Sequence, residues 1–222
     1  MGSDMSILFE RKSIMNDCGC SGSDPKQSPA GSCCGSDSQS MEEESCLTGP
    51  VGEMVKWFDG MIGRCLEYAE NAKKEGRPVV GIMCEYTPRE LIIAAGGIAI
   101  CMCGGSEATI ASAEKILPSN LCPLIKSTFG YHVERSNPFL EMSDLLVAET
   151  TCDGKKKMYE ILAETREMYV LELPQKQDDE DAIFHWRREL VKMKEHLEER
   201  FDVEITDDRL RDAIKLMNRE RA

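Results

Sequence analysis

The sequence predicts an α/β fold, a parallel sheet with helices on both faces. Three observations carry that expectation. Four short apolar runs, PVVGIM (78–83), IAICM (98–102), DLLVAE (144–149) and MYVLEL (168–173), punctuate the chain. Helical stretches lie between them, and strands that alternate with helices at short spacing favour parallel pairing. The runs are almost continuously apolar, as suits strands covered on both faces.

The elements follow in order. Val51, Met54, Val55, Phe58, Ile62, Cys65, Leu66 and Ala69 recur at steps of three and four. That is one face of an amphipathic helix, which Gly76 and Pro78 close. Cys65 on that face reads as packing. After the first strand, TPRE (87–90) opens a helix with Thr87 as cap, Pro88 at the first position and Glu90 as capping-box partner. LIIAA continues it to Gly96 and Gly97. Ala108, Ala111, Ile116 and Leu117 mark the next helix, which Pro118 stops. In NLCPLIKSTFGY (120–131), Asn120 is placed to cap and Pro123 suits the first turn. Gly154 to Thr165 reads as helix, and Pro174 ends the fourth strand.

The remainder is helical. Ile183, Trp186, Leu190, Met193 and Leu197 form a stripe that reads as a core face. His185 and His196 read as exposed. TDDRL (206–210) caps a last helix with Leu210, Ala213, Ile214 and Met217 on its apolar side. The expected organisation is a disordered Cys/Gly/Ser-rich tail over 1–50, an α/β domain over 51–175 and a helical extension over 176–222.

Composition excludes several functions. Lys and Arg total 27 against 40 Asp and Glu, a formal charge of −13. Phosphates repel such a chain, which argues against nucleic-acid or anionic-membrane partners. The longest nearly apolar run, Leu91 to Cys103, is too short to span a bilayer. No N-terminal window combines a charged region with an apolar one, so the expectation is a soluble, cytoplasmic protein. Neither a G-x-G-x-x-G fingerprint nor a P-loop occurs.

Eleven cysteines are many for such a chain, and in a reducing compartment clustered thiols point to metal or redox chemistry. Cys18, Cys20, Cys33, Cys34 and Cys46 fall in the tail, either as a metal-capturing arm or as incidental thiols. The second reading is favoured, because no spacing there matches a closed site. Cys84, Cys103 and Cys152 each fall just past the carboxyl end of a predicted strand, where open α/β sheets bind their ligands. Cys122 stands at a predicted helix N-terminus, where N–H groups and the helix dipole favour negative charge. These four can therefore meet as metal ligands. Spacing alone leaves two readings open, an iron–sulfur site or unrelated buried thiols. Cys101 reads as core.

The neighbours of Cys152 in AETTCDGKKKMYE (148–160) have two readings as well. Glu149 and Asp153 are candidate proton-transfer groups or hydrogen-bond acceptors near a ligand thiol, against ordinary surface acids. Lys155, Lys156 and Lys157 either balance an anionic cluster or attract an acidic redox partner or phosphorylated substrate, or they simply face solvent.

The strings CEYTPRELIIAAGG, LPSNLCPLIKSTFGY and SDLLVAETTCDGKKKMYEILAE resemble the 2-hydroxyacyl-CoA dehydratase and benzoyl-CoA reductase family, most of all its double-cubane cluster branch. The resemblance covers residues 51–222. It implies an iron–sulfur cofactor, 4Fe-4S or double-cubane 8Fe-9S, with Cys84, Cys103, Cys122 and Cys152 as ligands. It implies an ATP-dependent iron–sulfur activator that delivers low-potential electrons, and a small-molecule or acyl-CoA substrate. It further implies a second α/β domain or subunit with more ligand cysteines, toward which the helical extension leads. Where relatives of this kind carry a cysteine before the proline of SNPFL, this chain has Asn137. The rival expectations are a non-catalytic iron–sulfur carrier or assembly subunit, and an inactive fragment.

Overall fold

A computed structural model describes residues 50–176 and 178–222. The expectations for residues 1–49, the tail cysteines included, lie outside the described residues. The strands form as the apolar runs predict: β1 (Val79–Ile82), β2 (Ile98–Cys101), β3 (Leu145–Glu149) and β4 (Met168–Leu171). They make one sheet in the order β2-β1-β3-β4, and every neighbouring pair is parallel. Ile82 lies opposite Cys101 on one side and Val147 on the other, and Glu149 lies opposite Leu171. All strand ends therefore reach a common carboxyl edge.

Strand side chains alternate between faces, and each face meets its own helices. On one face Val80, Ile82, Leu145, Val147 and Leu171 pack with residues of α3 (Arg89–Ala94), α8 (Glu180–Phe201) and α9 (Asp207–Arg221). On the other, Met83, Leu146 and Ala148 pack with α4 (Ile110–Ala113), α5 (Pro123–Glu134), α6 (Pro138–Met142) and α7 (Asp153–Leu162). The C-terminal helices thus close one side of the sheet, with Met193 and Leu197 buried as the stripe predicts and Ile183 left exposed. Thr206 caps α9 through the amide of Arg209. Arg89 pairs with Glu220 and Arg221 with Glu90, which ties α3 to the end of α9.

The first predicted helix divides at Gly60 into α1 (Pro50–Asp59) and α2 (Met61–Lys74). Only Ala69 and Ala72 of α2 enter the core, beside Val79 and Ile98. Met54, Trp57, Phe58 and Ile62 stay exposed, and so does Cys65, which corrects its reading as packing. An apolar periodicity fixes which residues share a face, but it does not say what covers that face. Trp57 instead takes the edge of Phe58 and the guanidinium of Arg64 as neighbours.

A candidate thiol site at the carboxyl edge of the sheet

The site is built from the turns that leave β1, β2 and β3. After β1 the chain continues through Met83 into Cys84, which is half-buried. The buried Met83 offers its carbonyl to two donors from different elements. The thiol of Cys103 donates to it at 3.1 Å, and the Lys155 ammonium donates to it at 3.0 Å. One backbone oxygen therefore joins the ends of β1 and β2 to the first turn of α7.

Cys101 and Cys103 bear on each other: their interaction holds the Cys101 thiol low, to about 6, and raises that of Cys103. Cys101 is exposed, which corrects its placement in the core. The physical reason is that β2 ends at Cys101. Cys101 pairs with Ile82 of β1 on one side, and as the end of an edge strand it has no strand on the other.

After β3, Cys152 takes the capping position of α7 and its sulfur accepts the Lys155 amide at 3.4 Å. Cys122 holds the same position on α5 in place of Asn120, with Pro123 in the first turn. The two helices approach closely here. A Cβ on Gly154 would stand 2.9 Å from Leu121 Cδ1 and 3.0 Å from Ile125 Cδ1. Both N-terminal cysteines are exposed.

Beneath the thiols lies a buried polar layer. Glu149, the last residue of β3, is 0% exposed. The Thr87 hydroxyl donates to its Oε1, while Oε2 has no partner among the described residues. Burial raises this carboxyl to about 7, although the bond from Thr87 and the charge of Lys155 oppose the rise. The Tyr159 hydroxyl is buried without a partner as well, as is that of Thr151. Desolvation raises the Tyr159 phenol, and the charges of Glu149, Cys84, Cys103 and Cys152 raise it further. Each buried polar atom left without any partner costs about 1–3 kcal/mol.

The structure corrects several sequence expectations here. Thr87 does not cap α3, whose N-cap is Pro88 without a side-chain bond. A buried acid is costlier to leave unpaired than an amide in an accessible first turn, so the hydroxyl goes to Glu149. Glu149 is not a surface acid. Asp153 is one, with a side chain 99% exposed and paired with Lys156 at 2.9 Å. Lys155 turns inward to Met83, whereas Lys157 pairs with Glu160. His185 and His196 are half-buried, and His196 stacks on Tyr169 at 4.7 Å. Asn137 caps α6 by accepting the amides of Phe139 and Leu140 at 3.0 and 3.4 Å. Because α6 leads into the amino end of β3, Asn137 belongs to the opposite end of the sheet from the thiols.

Cys84, Cys103 and Cys152 thus share one edge with Lys155, Glu149 and Tyr159, and Cys122 flanks it on α5. Among the described residues, no three His, Cys, Asp or Glu side chains stand together as a site for a metal ion. No helix among the described residues is long and apolar enough to cross a membrane. The parts that sequence reasoning missed are the Met83 carbonyl, the Thr87–Glu149 bond and Tyr159. Only Tyr159 had a signal, its place one helical turn after Lys155.

Topology and edge chemistry together define a class: parallel α/β proteins whose reactive groups gather in the crevice beyond the strand ends. Sequence comparison then shows the family. The chain belongs to the family described as 2-hydroxyglutaryl-CoA dehydratase, D-component, whose model matches residues 84–222. It is 48% identical over 149 residues to a protein of Escherichia coli (strain K12) provisionally named as dehydratase subunit YjiM, covering 67% of this chain and 39% of that one. It is 27% identical over 149 residues to a benzoyl-CoA reductase subunit of Thauera aromatica, covering 65% and 38%. It is 26% identical over 172 residues to the beta subunit of lactoyl-CoA dehydratase of Anaerotignum propionicum, covering 74% and 45%. The chain spans about two fifths of the length of these relatives. The resemblance read from the cysteine-bearing strings is borne out at the level of the family.

Proposed function

We propose that this chain is an iron–sulfur-binding component of a 2-hydroxyacyl-CoA dehydratase-like or double-cubane reductase enzyme. In this reading it receives low-potential electrons from an ATP-dependent activator and works with a second α/β domain or subunit. The observation that carries the reading is that Cys84, Cys103 and Cys152 follow β1, β2 and β3 at one sheet edge, where Cys103 and Lys155 meet on the Met83 carbonyl and Cys152 accepts the Lys155 amide. Membership in a family of dehydratase and reductase subunits supports it.

The donor set fits a polynuclear cluster better than a single ion. Thiolates from separated turns are the usual ligands of iron–sulfur clusters, and a cluster of several irons holds its ligands farther apart than one ion does. Cys84, Cys103, Cys122 and Cys152 are the residues that would hold it. When bound, such a cluster supplies one-electron transfer at low potential.

The chain's own residues act around that chemistry. Lys155 places an ammonium against the edge and offsets the negative charge of several thiolates. Glu149, buried and raised to about 7, is able to hold a proton near neutral pH at its Oε2. Asp153 and Lys156, paired at the exposed rim, are placed to meet a substrate or a partner rather than the buried layer. A small molecule or an acyl-CoA is the substrate class consistent with the relatives, and the crevice beyond β1 and β3 is where it would enter.

Anaerobic reconstitution with iron and sulfide, followed by metal assay and electron paramagnetic resonance, tests the proposal. A brown, paramagnetic product with bound iron and sulfide is expected. A colourless, iron-free product, even with a second α/β subunit supplied, overturns it.

A further inference from the structure

We infer that Tyr159 is a hydrogen-bond donor to the anionic group held at the thiol edge and thereby sets the reduction potential of that group. The inference rests on the iron–sulfur reading above and adds to it a residue outside the ligand set. Its ground is geometric. Tyr159 is 3% exposed, and its hydroxyl meets no acceptor among the described residues. The groups whose charge bears on it are Glu149, Cys84, Cys103 and Cys152. Tyr159 belongs to the same buried cluster as Met83, Met102, Ile125 and Phe129 on the helix-covered face of the sheet, and the Met83 carbonyl is where the Cys103 thiol and the Lys155 ammonium meet.

The placement on α7 makes the direction intelligible. Tyr159 follows Lys155 by four residues and so shares its side of the helix. Lys155 reaches the Met83 carbonyl, and its own amide already donates to Cys152. The phenol is a further donor on this side of α7. The Glu149 carboxyl has Oε1 committed to Thr87 and Oε2 without a partner among the described residues. A sheet edge that gathers thiols on its outer side and unpaired hydroxyls on its inner side is arranged to hold a group that accepts hydrogen bonds from the protein. Cluster and thiolate sulfurs are such acceptors, and donors to them stabilise the more negative, reduced state.

Tyr159→Phe in the full chain tests this, because it removes one oxygen and keeps the ring. Wild-type and variant chains are reconstituted anaerobically with iron and sulfide. Iron and sulfide per chain are measured first, then the midpoint potential by a dye-mediated titration followed by electron paramagnetic resonance. The expected result is equal iron in both and a potential shifted negative in the variant. A tenfold loss in stabilisation of the reduced state corresponds to about 59 mV for a one-electron couple. A folded variant that loads no iron beside a loaded wild type also supports the inference, since the hydroxyl is then needed to hold the group. Equal iron and equal potential overturn the role of Tyr159 and leave the iron–sulfur reading intact. An iron-free wild type overturns both. A variant that fails to fold contradicts a hydroxyl without a partner in the chain, and overturns the inference too.

Discussion

The hydroxyl of Thr87 donates to the buried carboxyl of Glu149, joining the loop after β1 to the last residue of β3. The burial of that carboxyl, which the bond from Thr87 only partly offsets, makes stability depend on pH. Burial holds Glu149 at about 7 against an ordinary 4.5. Between those values the folded chain keeps a proton that the unfolded chain has released. Stability contributed by the protonated acid is therefore whole below about 4.5, falls as pH rises toward about 7, and is lost above it. Glu149→Gln removes the titration. Urea midpoints of the metal-free protein at about pH 5 and about pH 8 should differ less in the variant than in the wild type. An unchanged difference would show that Glu149 does not titrate in this range.

The four candidate ligands should separate from the other described thiols by iron content. Cys84→Ala, Cys103→Ala, Cys122→Ala and Cys152→Ala are each expected to lower iron per chain after reconstitution. Cys65→Ala, on exposed α2, should leave it unchanged. Cys152 allows a finer division, because its sulfur also caps α7. Cys152→Ser keeps an N-cap acceptor and should hold stability near the wild type, whereas Cys152→Ala should lose about 1 kcal/mol. Both should lose iron. Iron retained in all four alanine variants would remove these residues from the site.

Gly130 is fixed by steric demand. A Cβ there would stand 1.9 Å from the Thr109 carbonyl oxygen, a backbone atom that cannot step aside. Thr109 is itself held by its hydroxyl bond to the Ser127 carbonyl at 3.0 Å. Gly130→Ala is expected to cost about 3 kcal/mol in chemical denaturation. A loss below about 1 kcal/mol would mean that α4 and α5 separate more easily than their packing implies.

Asn137 should behave as a helix cap and nothing more. Asn137→Ala is expected to lose about 1 kcal/mol of stability with iron per chain unchanged, since α6 leads into the amino end of β3. A drop in iron without a drop in melting temperature would give this position a part in the site that its location does not suggest.

How much of this was legible in the sequence depends on the range of the interaction. The strands were readable because an apolar run between turn signals is a local pattern. Thr206 was readable as a cap because its partner amide is three residues away. Thr87 carried the same local signature, yet its hydroxyl serves Glu149, 62 residues later. No local rule reports such a competition. The edge placement of Cys84, Cys103 and Cys152 followed from strand ends alone. The position of Tyr159 beneath them did not, because a tyrosine on an apolar helix face reads as core until its hydroxyl is seen to lack a partner. Cys101 and Cys65 failed for related reasons. Periodicity assigned each to a face, and the end of β2 and the break at Gly60 left those faces open.

Gly154 lies against Leu121 and Ile125, and so sets how near the starts of α5 and α7 come to each other. Each start carries a cysteine, Cys122 on one and Cys152 on the other. The gauge between these two sulfurs is therefore kept by hydrocarbon. One methyl group on residue 154 would wedge the helices apart and widen that gauge without touching a thiol. Any group held between the two sulfurs would have its size set by aliphatic volume, at a residue with no chemistry of its own.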